Sequence, residues 1–461
     1  MFTPISQPQP QKPMKKQNFD TVVVGSGTSA YFAVDGLLRH GQQVALIDER
    51  PFGGTCALRG CQPKKYLVSN VEAVALASQL EGQGLTIPPQ TDWQALQILK
   101  NRFLEGRPEA ELRQWQKKGV TTFQGRAVMS GTDRLTVNNT VLTADNIVLA
   151  TGAIPRRSTI PGADYLQDSE AFLNLAQLPK RILFIGGGYI SFEFAHVAIR
   201  AGAEEVTILH RSALPLKSFD QDCVQVLLTA SRALGIRVLL NQEPTAVEMI
   251  DSGYLVHGKG GQSWEADCII EASGRVPNLE VLAGGEGKVD ADRRGILVTP
   301  YLQSVSNPRV YAIGDCAATG SMLAPVADRE GQVVVANILG ERQQSIDYAV
   351  VPSVVFTIPP MGSVGLTEQQ AREQGLEFRS RQGSTSRWPS SLRIGEAEGF
   401  YKILIDPETD RLLGAHLVRH NATEVINTLA LAMKYQITAN ELADFMWAYP
   451  TSTSDLKYMV R

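Results

Sequence analysis

The sequence predicts an α/β protein with two Rossmann-like dinucleotide-binding folds and a smaller C-terminal α+β unit. Two apolar strands each end in a glycine-rich turn that opens into a helix, which is the pattern of a dinucleotide fold. Near the C-terminus, two apolar strands around the turn 406–410 read as a hairpin, and an amphipathic helix is expected over 423–435. A chain of 461 residues is long enough for about three such domains.

The composition excludes several classes of protein. The 44 Lys and Arg residues nearly balance the 47 Asp and Glu residues, which leaves a formal net charge of −3 and argues against a nucleic-acid or anionic-membrane partner. No apolar run is long enough to span a membrane. Residues 1–18 are rich in Pro and Gln and lack the apolar core of a secretory signal. We therefore expect a disordered tail over 1–18 and a cytoplasmic protein.

The first glycine-rich turn runs from Gly25 to Ala30, directly after a run of apolar residues that is typical of a buried parallel strand. Gly25 permits the tight turn, Gly27 lets a pyrophosphate approach the helix N-terminus, and the small Ala30 lets helix and strand pack closely. The next strand ends at Asp48, whose carboxylate is expected to bind a ribose hydroxyl. The alternative is a glycine turn in some other α/β sheet.

The same pattern recurs around Gly186 and Gly188, with Ser191 in place of the usual Gly or Ala. The strand that follows ends at His210 instead of an acid, and Arg211 and Lys217 come shortly after it. Cations favour a 2′-phosphate, whereas an acid would favour a free 2′-hydroxyl. The second nucleotide is therefore expected to be NADPH, preferred over NADH. The alternative is a solvated basic loop.

Two cysteines lie between these folds. Cys56 and Cys61 are five residues apart, a spacing that fits about one and a half turns of a helix and is short enough for a disulfide. In an intracellular chain such a pair is more often catalytic or metal-binding than structural. The six histidines are scattered, so we expect no metal site. Lys64, one turn past Cys61, carries a cation that can stabilise a thiolate or a reduced flavin.

These motifs resemble the class I flavoprotein (pyridine nucleotide) disulfide oxidoreductases, which include glutathione reductase, mercuric reductase and dihydrolipoamide dehydrogenase. The chain contains GGTCALRGCQPK from Gly53 and GGGYISFE from Gly186. Further matches are ATG from Ala150, ASGRVPN from Ala272, AIGD from Ala312, FTIPPMGSVGLTE from Phe356 and YPT from Tyr449. The resemblance covers the chain from Phe19 onward.

The resemblance implies that the first fold holds FAD and that electrons pass from NADPH through flavin to a redox-active Cys56–Cys61 disulfide. Cys61 would face the flavin and Cys56 would attack the substrate. Glu193 is expected to pair with Lys64, and Tyr189 to act as a lid over the nicotinamide site. The resemblance also assigns further residues to the cofactors: Thr55, Thr151, Gly152, Gly274, Gly314, Asp315 and Ala324.

The order of the motifs predicts the domain boundaries. The FAD-binding domain is expected over 19–158 and again over 284–348, the NADPH-binding domain is expected over 159–283, and the remaining residues, 349–461, form the third unit. By resemblance this third unit is a dimer-interface domain, and a homodimer is expected.

The chain departs from its relatives at the catalytic base. The family's reductases carry a His-Pro-Thr-x-x-Glu motif, whose His is contributed by the other subunit. Here Tyr449 stands at the His position, Ser454 stands where Glu is expected, and Asp455 is one residue late. A phenol can donate a hydrogen bond, but it cannot act as a base at neutral pH as imidazole does. The acid–base catalysis of ordinary disulfide exchange is therefore expected to be altered.

The residues that bind glutathione in the family are also changed. The serine of the first glycine loop is Thr28, one arginine becomes Asp35, and a second arginine becomes Gln332. Losing two cations argues against an anionic peptide as the main substrate. We therefore expect a small disulfide other than glutathione as the acceptor. Two alternatives stay open: reduction of other acceptors, such as mercuric ion or a quinone, and a flavin-bound redox sensor. Mercury handling lacks support from a C-terminal cysteine pair, because no cysteine follows Cys316.

Overall fold

The computed structural model describes residues 14–340 and 343–461. Most of the predicted tail, residues 1–13, lies outside the described residues. The chain forms two compact units. The first unit takes in the described residues among 1–58, 106–154 and 276–346. The second unit takes in 59–105, 155–275 and 347–461. The domain boundaries expected from the sequence stay predictions.

The strands of the described residues are β1 (Lys15–Val24), β2 (Val44–Asp48), β3 (Thr121–Gln124), β4 (Ala127–Gly131), β5 (Arg134–Val137), β6 (Thr140–Leu149), β7 (Ala153–Pro155), β8 (Arg181–Ile185), β9 (Glu205–His210), β10 (Arg237–Leu240), β11 (Pro244–Ile250), β12 (Gly253–Gly258), β13 (Ser263–Ala266), β14 (Cys268–Glu271), β15 (Arg275–Pro277), β16 (Ala291–Asp292), β17 (Gly295–Ile296), β18 (Val310–Ala312), β19 (Ser353–Val355), β20 (Met361–Gly365), β21 (Arg379–Ser384), β22 (Phe400–Ile405) and β23 (Leu412–Val418).

The α-helices are α1 (Thr28–Arg39), α2 (Gly54–Arg59), α3 (Cys61–Gln79), α4 (Trp93–Leu104), α5 (Arg107–Lys117), α6 (Ser169–Leu173), α7 (Tyr189–Arg200), α8 (Gln221–Ala233), α9 (Ala324–Leu339), α10 (Glu368–Glu373), α11 (Pro389–Leu392), α12 (Ala422–Lys434), α13 (Ala439–Asp444) and α14 (Leu456–Met459). Short 3₁₀ helices lie at Ala163–Tyr165, Glu280–Leu282, Gly314–Cys316 and Thr453–Asp455.

The first unit is built on a seven-stranded sheet in the order β3-β2-β1-β6-β5-β4, with β18 beside β6. The central strand β1 pairs in parallel with both β2 and β6, and its apolar end is buried because helices and strands cover both faces. This explains why the strand reads as an uninterrupted apolar run. Strand β1 begins at Lys15, earlier than expected, because residues 15–19 continue the ladder with Thr140–Ala144.

The second unit contains three sheets. A parallel sheet in the order β10-β9-β8-β14 carries the second glycine-rich turn, and a small antiparallel sheet β11-β12-β13 follows it in the chain. The C-terminal part is a five-stranded antiparallel sheet in the order β19-β20-β23-β22-β21. Helix α12 covers this sheet with buried residues that include Val425, Ile426 and Leu429. The predicted α/β class, with two nucleotide folds and a C-terminal α+β unit, is confirmed.

Candidate active site

The first glycine-rich turn is shaped by close backbone approaches. Gly25 has φ +104°, and a Cβ there would lie 2.1 Å from the carbonyl oxygen of Ala150. Gly54 has φ +70°, and a Cβ there would lie 2.3 Å from Cα of Gly27. Gly27 is the N-cap of α1 and has no side chain to cap it, so the helix N-terminus can receive a phosphate. Ala30 is fully buried against β1, as expected.

Asp48 orders this turn. One of its carboxylate oxygens accepts hydrogen bonds from the Ser26 N–H at 2.8 Å and the Ser26 hydroxyl at 2.6 Å. The other oxygen accepts from the Arg50 N–H at 2.8 Å. Each carboxylate oxygen can accept more than one hydrogen bond, so Asp48 can also take a ribose hydroxyl. Its assignment to the ribose stays a prediction.

The other residues assigned to FAD lie in the first unit, in loops or near the beginning of short and long helices. Thr151 donates its hydroxyl to the carbonyl of Asn278 at 2.6 Å, and it precedes Gly152 at φ +69°. Gly314 is buried, Asp315 is partly exposed, and Ala324 is the first residue of α9. Thr55 is exposed on α2. Uncapped helix ends and glycines that admit no side chain fit a bound dinucleotide, so the residues present fit FAD.

Sequence reasoning missed Glu330 in this region. Its side chain is fully buried and accepts a hydrogen bond from the Gly314 N–H at 2.6 Å. The Glu330 carboxylate therefore holds the backbone turn on which Asp315 lies. The available signal was a lone acid on the apolar face of α9, beside Val326, Ala327 and Val334.

The second glycine-rich turn follows β8 in the second unit. Gly188 is the N-cap of α7, and Tyr189, the first helical residue, is 44% exposed. Ser191 is fully buried, and its hydroxyl has no hydrogen-bond partner among the described residues. Gly186 and Gly274 take positive φ values of +125° and +127°.

His210, the last residue of β9, contacts the loop that carries the two basic residues. Its ring nitrogen Nε2 lies 2.8 Å from the Ser212 hydroxyl and 3.0 Å from the Leu214 carbonyl. Burial, together with the charges of Lys217 and Arg211, lowers the pKa of His210, so the ring is neutral at pH 7. Arg211 and Lys217 are exposed, and no carboxylate is paired with either of them in the part of the chain that the structure describes.

Cys56 and Cys61 do not share one continuous helix, contrary to the expectation from their spacing. Cys56 lies on α2 and is half-buried, whereas Cys61 is the exposed first residue of α3. The break falls at Gly60, whose φ of −146° and ψ of −112° no helix adopts. Because α3 has 19 residues and its N-cap Gly60 has no side chain, Cys61 stands at the positive end of a long helix dipole. The helix dipole therefore favours negative charge on the Cys61 sulfur.

The expected pairing of Lys64 with Glu193 is present. The Lys64 ammonium lies 2.8 Å from one Glu193 oxygen, and their side chains are 15% and 1% exposed. The other oxygen of Glu193 accepts a hydrogen bond from the Phe356 N–H at 2.9 Å. The Phe356 ring lies under the Lys64 ammonium at 4.5 Å. Phe356 is a contact that the sequence did not reveal, although its FTIPP segment was part of the resemblance.

Tyr449, Ser454 and Asp455, which the resemblance places at or next to the family's base motif, have different surroundings. Tyr449 is 70% exposed. Ser454 donates its hydroxyl to the Thr451 carbonyl at 2.6 Å. Asp455 accepts hydrogen bonds from buried Arg419 at 2.6 Å and from the Ser390 hydroxyl at 2.7 Å. Neither replacement of the family's glutamate is therefore paired with Tyr449.

The residues at the three positions that the resemblance assigns to glutathione binding are engaged in other contacts. Asp35 is paired with Lys118 and with Arg39, each at 2.6 Å, and the hydrogen bond from Lys118 contributes most to lowering the pKa of its carboxyl group. Thr28 hydrogen-bonds to Asp328, and Gln332 accepts a hydrogen bond from Arg329 at 3.2 Å. Asp35 is thus held in two ion pairs and offers no cation of its own to an anionic peptide.

The remaining cysteines are inert by comparison. Burial raises the pKa of Cys223 and of Cys316, and it raises the pKa of Cys268 to about 12. Because the thiolate is the reactive form, these three are poor nucleophiles at neutral pH. Cys56 and Cys61 are left as the candidate redox pair. Among the described residues, no helix is long and apolar enough to cross a membrane, and no cluster of His, Cys, Asp and Glu is arranged to hold a metal ion.

Comparisons with known proteins match this arrangement. The family model described as pyridine nucleotide-disulphide oxidoreductase matches residues 19–331, and the model of that family's dimerisation domain matches residues 351–460. A mercuric reductase of Staphylococcus aureus is 32% identical over 449 residues, which are 95% of this chain and 81% of that protein. A glutathione reductase of Burkholderia cepacia is 31% identical over 95% of this chain and 97% of its own length.

A solved structure is also similar over nearly the whole chain. It is the Cu(II) complex of the HOCl-induced flavoprotein disulfide reductase RclA from Escherichia coli. The TM-score is 0.87 at 26% identity, over 96% of this chain and 99% of that chain.

Proposed function

Because this chain belongs to the pyridine nucleotide-disulphide oxidoreductase family, we propose that it passes electrons from NADPH to a redox-active Cys56–Cys61 disulfide and on to a small disulfide other than glutathione. The family itself establishes the coarser activity, an oxidoreductase that uses FAD and a nicotinamide cofactor. The position of Cys61 is the strongest support for this proposal. Cys61 stands at the N-terminus of α3, one turn before a Lys64 ammonium that buried Glu193 holds in place.

In the overall reaction, one NADPH and one proton reduce one disulfide, which yields NADP⁺ and two thiols. The first glycine-rich turn, with Gly25 and Gly27, would hold FAD, which would supply the hydride and two-electron chemistry between NADPH and the protein disulfide. The Cys56 thiolate then attacks the substrate disulfide, whose S–S bond breaks and releases the first thiol. Cys61 attacks Cys56 in the resulting mixed disulfide, which releases the second thiol and restores the protein disulfide.

The resemblance assigns Tyr449 to the position that faces the thiolate released from the substrate disulfide. Its O–H can donate a hydrogen bond to that sulfur, while the proton that completes the thiol comes from water. We expect Tyr449→His to raise the rate of disulfide reduction near neutral pH, because imidazole both donates and accepts protons there. An unchanged rate with every disulfide tested would remove this position from the mechanism.

The roles of the two cysteines can be separated by substitution. In Cys56→Ser, the oxidised protein should show the long-wavelength absorbance of a thiolate beside oxidised flavin before any NADPH is added, because Cys61 is assigned to face the flavin and has lost its disulfide partner. Cys61→Ser should lack that band, and both variants should lose disulfide turnover. Cys268→Ser is the control, since its thiol is buried in β14 away from the proposed chemistry. Disulfide turnover that survives in Cys56→Ser would refute the proposal.

Exposed Arg211 and Lys217 support the preference for NADPH, since both can pair with a 2′-phosphate and no acid ends β9. Reversing both charges with Arg211→Glu and Lys217→Glu should raise KM for NADPH and leave KM for NADH little changed. The control is the reversal of Arg237 on β10, whose contact is a 3.8 Å ion pair with Glu205. An unchanged ratio of kcat/KM for the two coenzymes would show that these cations do not recognise the phosphate.

A second candidate function is the reduction of another acceptor, such as a metal ion or a quinone. Tyr449 at the base position favours it, as do the relative named mercuric reductase and the neighbour solved as a Cu(II) complex. Thiolates are suitable ligands for a soft metal ion such as mercuric ion. NADPH consumption with a panel of disulfides, quinones and metal ions distinguishes the candidates. Quinone reduction that persists in Cys56→Ser would place that activity at the flavin instead of the dithiol.

A further inference from the structure

Lys457 is held between two exposed tyrosines at the C-terminal end of the second unit. Its ammonium lies 4.7 Å from the centre of the Tyr458 ring and 5.6 Å from that of Tyr449. These tyrosines are 50% and 70% exposed. Over the described residues, no carboxylate is paired with Lys457. Aromatic rings attract an ammonium without neutralising it, so the full positive charge is retained.

The surrounding charges do not cancel this cation. Asp455, two residues earlier, is turned inward and is neutralised by Arg419, whose side chain is 1% exposed. Ser454, at the position of the family's glutamate, is bonded to a backbone carbonyl. In place of a carboxylate behind the base, this chain therefore presents an ammonium beside Tyr449.

We infer that Lys457, together with Tyr449 and Tyr458, binds the acceptor and selects, among small disulfides other than glutathione, those that carry carboxylate groups. This inference rests on the proposed function, because it takes Tyr449 to face the leaving thiolate. The ammonium attracts a carboxylate, the two phenols can donate hydrogen bonds to it, and the rings offer an apolar face to the rest of the acceptor. The same charge repels a free metal cation or a cationic disulfide.

The inference can be tested with the FAD-loaded enzyme and three disulfides that differ in charge. The probes are 5,5′-dithiobis(2-nitrobenzoate), which is anionic, 2-hydroxyethyl disulfide, which is neutral, and cystamine, which is cationic. Lys457→Met removes the charge and keeps the length of the side chain. It should lower kcat/KM for the anionic probe by about fivefold, leave the neutral probe unchanged and improve the cationic one. Lys457→Arg should restore the wild-type order.

Lys259→Met is the matched control, because it removes the same charge from the turn between β12 and β13, where Lys259 is paired with Glu243. It should leave all three values unchanged. A second measurement uses protein reduced chemically in the absence of NADPH, and follows the rate at which its thiols react with the anionic and neutral probes. The ratio of these two rates should fall in Lys457→Met, by the same factor as in turnover.

The two proposals fail in different ways. If Lys457→Met changes all three probes equally, or none, the lysine does not select acceptor charge and the inference is overturned, although the proposed function stands. If wild-type protein loaded with FAD and NADPH reduces no disulfide of any charge, the proposed function itself fails.

Discussion

Gly54 shows how the absence of a single side chain helps to form the cofactor site. Its backbone has φ +70° and lies so close to Gly27 that a Cβ would come within 2.3 Å of a main-chain carbon. Backbone cannot give way as a flexible side chain can, so any other residue must displace the glycine-rich turn.

Gly54→Ala should lower the amount of FAD that the purified protein retains and should destabilise it by about 2–4 kcal/mol, through strain and overpacking. Gly82→Ala is a close control, because Gly82 has φ +71° and nothing lies within 4 Å of the position of its Cβ. That variant should cost only about 1 kcal/mol and keep its FAD. Flavin absorbance per protein and urea unfolding measure both effects. Equal losses in the two variants would contradict the steric explanation.

Lys100 is a buried cation whose protonation state depends on pH. Its side chain on α4 is fully buried and hydrogen-bonds to the Leu173 carbonyl and to Asn174, and burial lowers its pKa to about 8. The folded state therefore binds fewer protons than the unfolded state between pH 8 and the ordinary lysine pKa of 10.5. The free energy of unfolding therefore rises as pH increases through this window, because Lys100 loses its proton in the folded state. Below pH 8, the folded protein bears the full cost of burying the charged ammonium.

The second prediction is that Lys100→Met removes this dependence. The free energy of unfolding of the wild type, measured in urea, should contain a component that rises between pH 8 and 10.5, and Lys100→Met should lack it. Lys117→Met, which removes an exposed lysine from α5, should keep it. Identical pH profiles for wild type and Lys100→Met would show that the Lys100 ammonium is solvated in solution.

At the scale of elements, Lys402 on β22 joins three acids of the second unit. Its ammonium is 2% exposed and pairs with Asp220, with Asp222 and with Glu368 of α10. Asp220 is itself 3% exposed and caps α8. Burial opposes the charge, but the bonds to Asp222 and Glu368 and the nearby Asp220 raise the pKa of Lys402 overall. The network thus fastens α8 and α10 to the C-terminal sheet.

The third prediction is that Lys402→Met destabilises the protein by about 3–5 kcal/mol, because it leaves the buried Asp220 carboxylate without its cation. Lys434→Met breaks a pair with Asp347 whose side chains are 52% and 58% exposed, and it should cost at most about 1 kcal/mol. Urea unfolding gives both values. Similar costs for the two variants would mean that the Lys402 network is solvated.

Acid should weaken the same network. The hydrogen bond from Lys402 is the main cause that lowers the pKa of Glu368. The stability that this carboxylate contributes is present above its ordinary pKa of 4.5 and is lost as pH falls through its lower value in the folded state. The fourth prediction is that Glu368→Gln flattens the acid limb of the stability profile. Glu408→Gln, in the turn between β22 and β23, should leave that limb unchanged. A steep acid limb retained in Glu368→Gln would assign it to other carboxyl groups.

At the scale of the whole molecule, the dimerisation domain predicts a homodimer. This domain exposes apolar side chains that water disfavours, including Phe445 at 61% and Met446 at 94%. Because the resemblance assigns the base position to the other subunit, a monomer should bind FAD and react with NADPH yet reduce disulfides poorly.

The fifth prediction is that Met446→Glu yields monomers, since a charge in an apolar interface must be desolvated without a partner. Sedimentation velocity measures the mass, and NADPH consumption with a disulfide measures the activity. Met249→Glu is the control, because Met249 is 63% exposed on β11, in another part of the second unit. A Met446→Glu dimer with full activity would place the interface elsewhere.

Much of the architecture could be predicted because it depends on local patterns. Strands β2, β8 and β9 and the glycine turns after β1 and β8 were placed correctly, as was the C-terminal hairpin, since buried parallel strands and tight turns constrain the sequence directly. Helix α12 runs over Ala422–Lys434, one residue earlier than predicted at each end. The start of β1 at Lys15 was missed, because its polar residues are held by pairing with β6, a strand more than 100 residues away.

The sequence by itself determined the family, the two nucleotide folds, the cysteine pair and the tyrosine in the YPT segment, because each depends on residue type at fixed spacing. Tertiary structure alone decided the partners of those residues. It broke the helix between Cys56 and Cys61 at Gly60, seated Phe356 under Lys64 and turned Asp455 towards Arg419. It also placed Lys457 over Tyr449. Such contacts depend on how distant segments pack against one another. Packing of this kind produces no regular periodicity in the sequence, so it cannot be predicted from the sequence pattern.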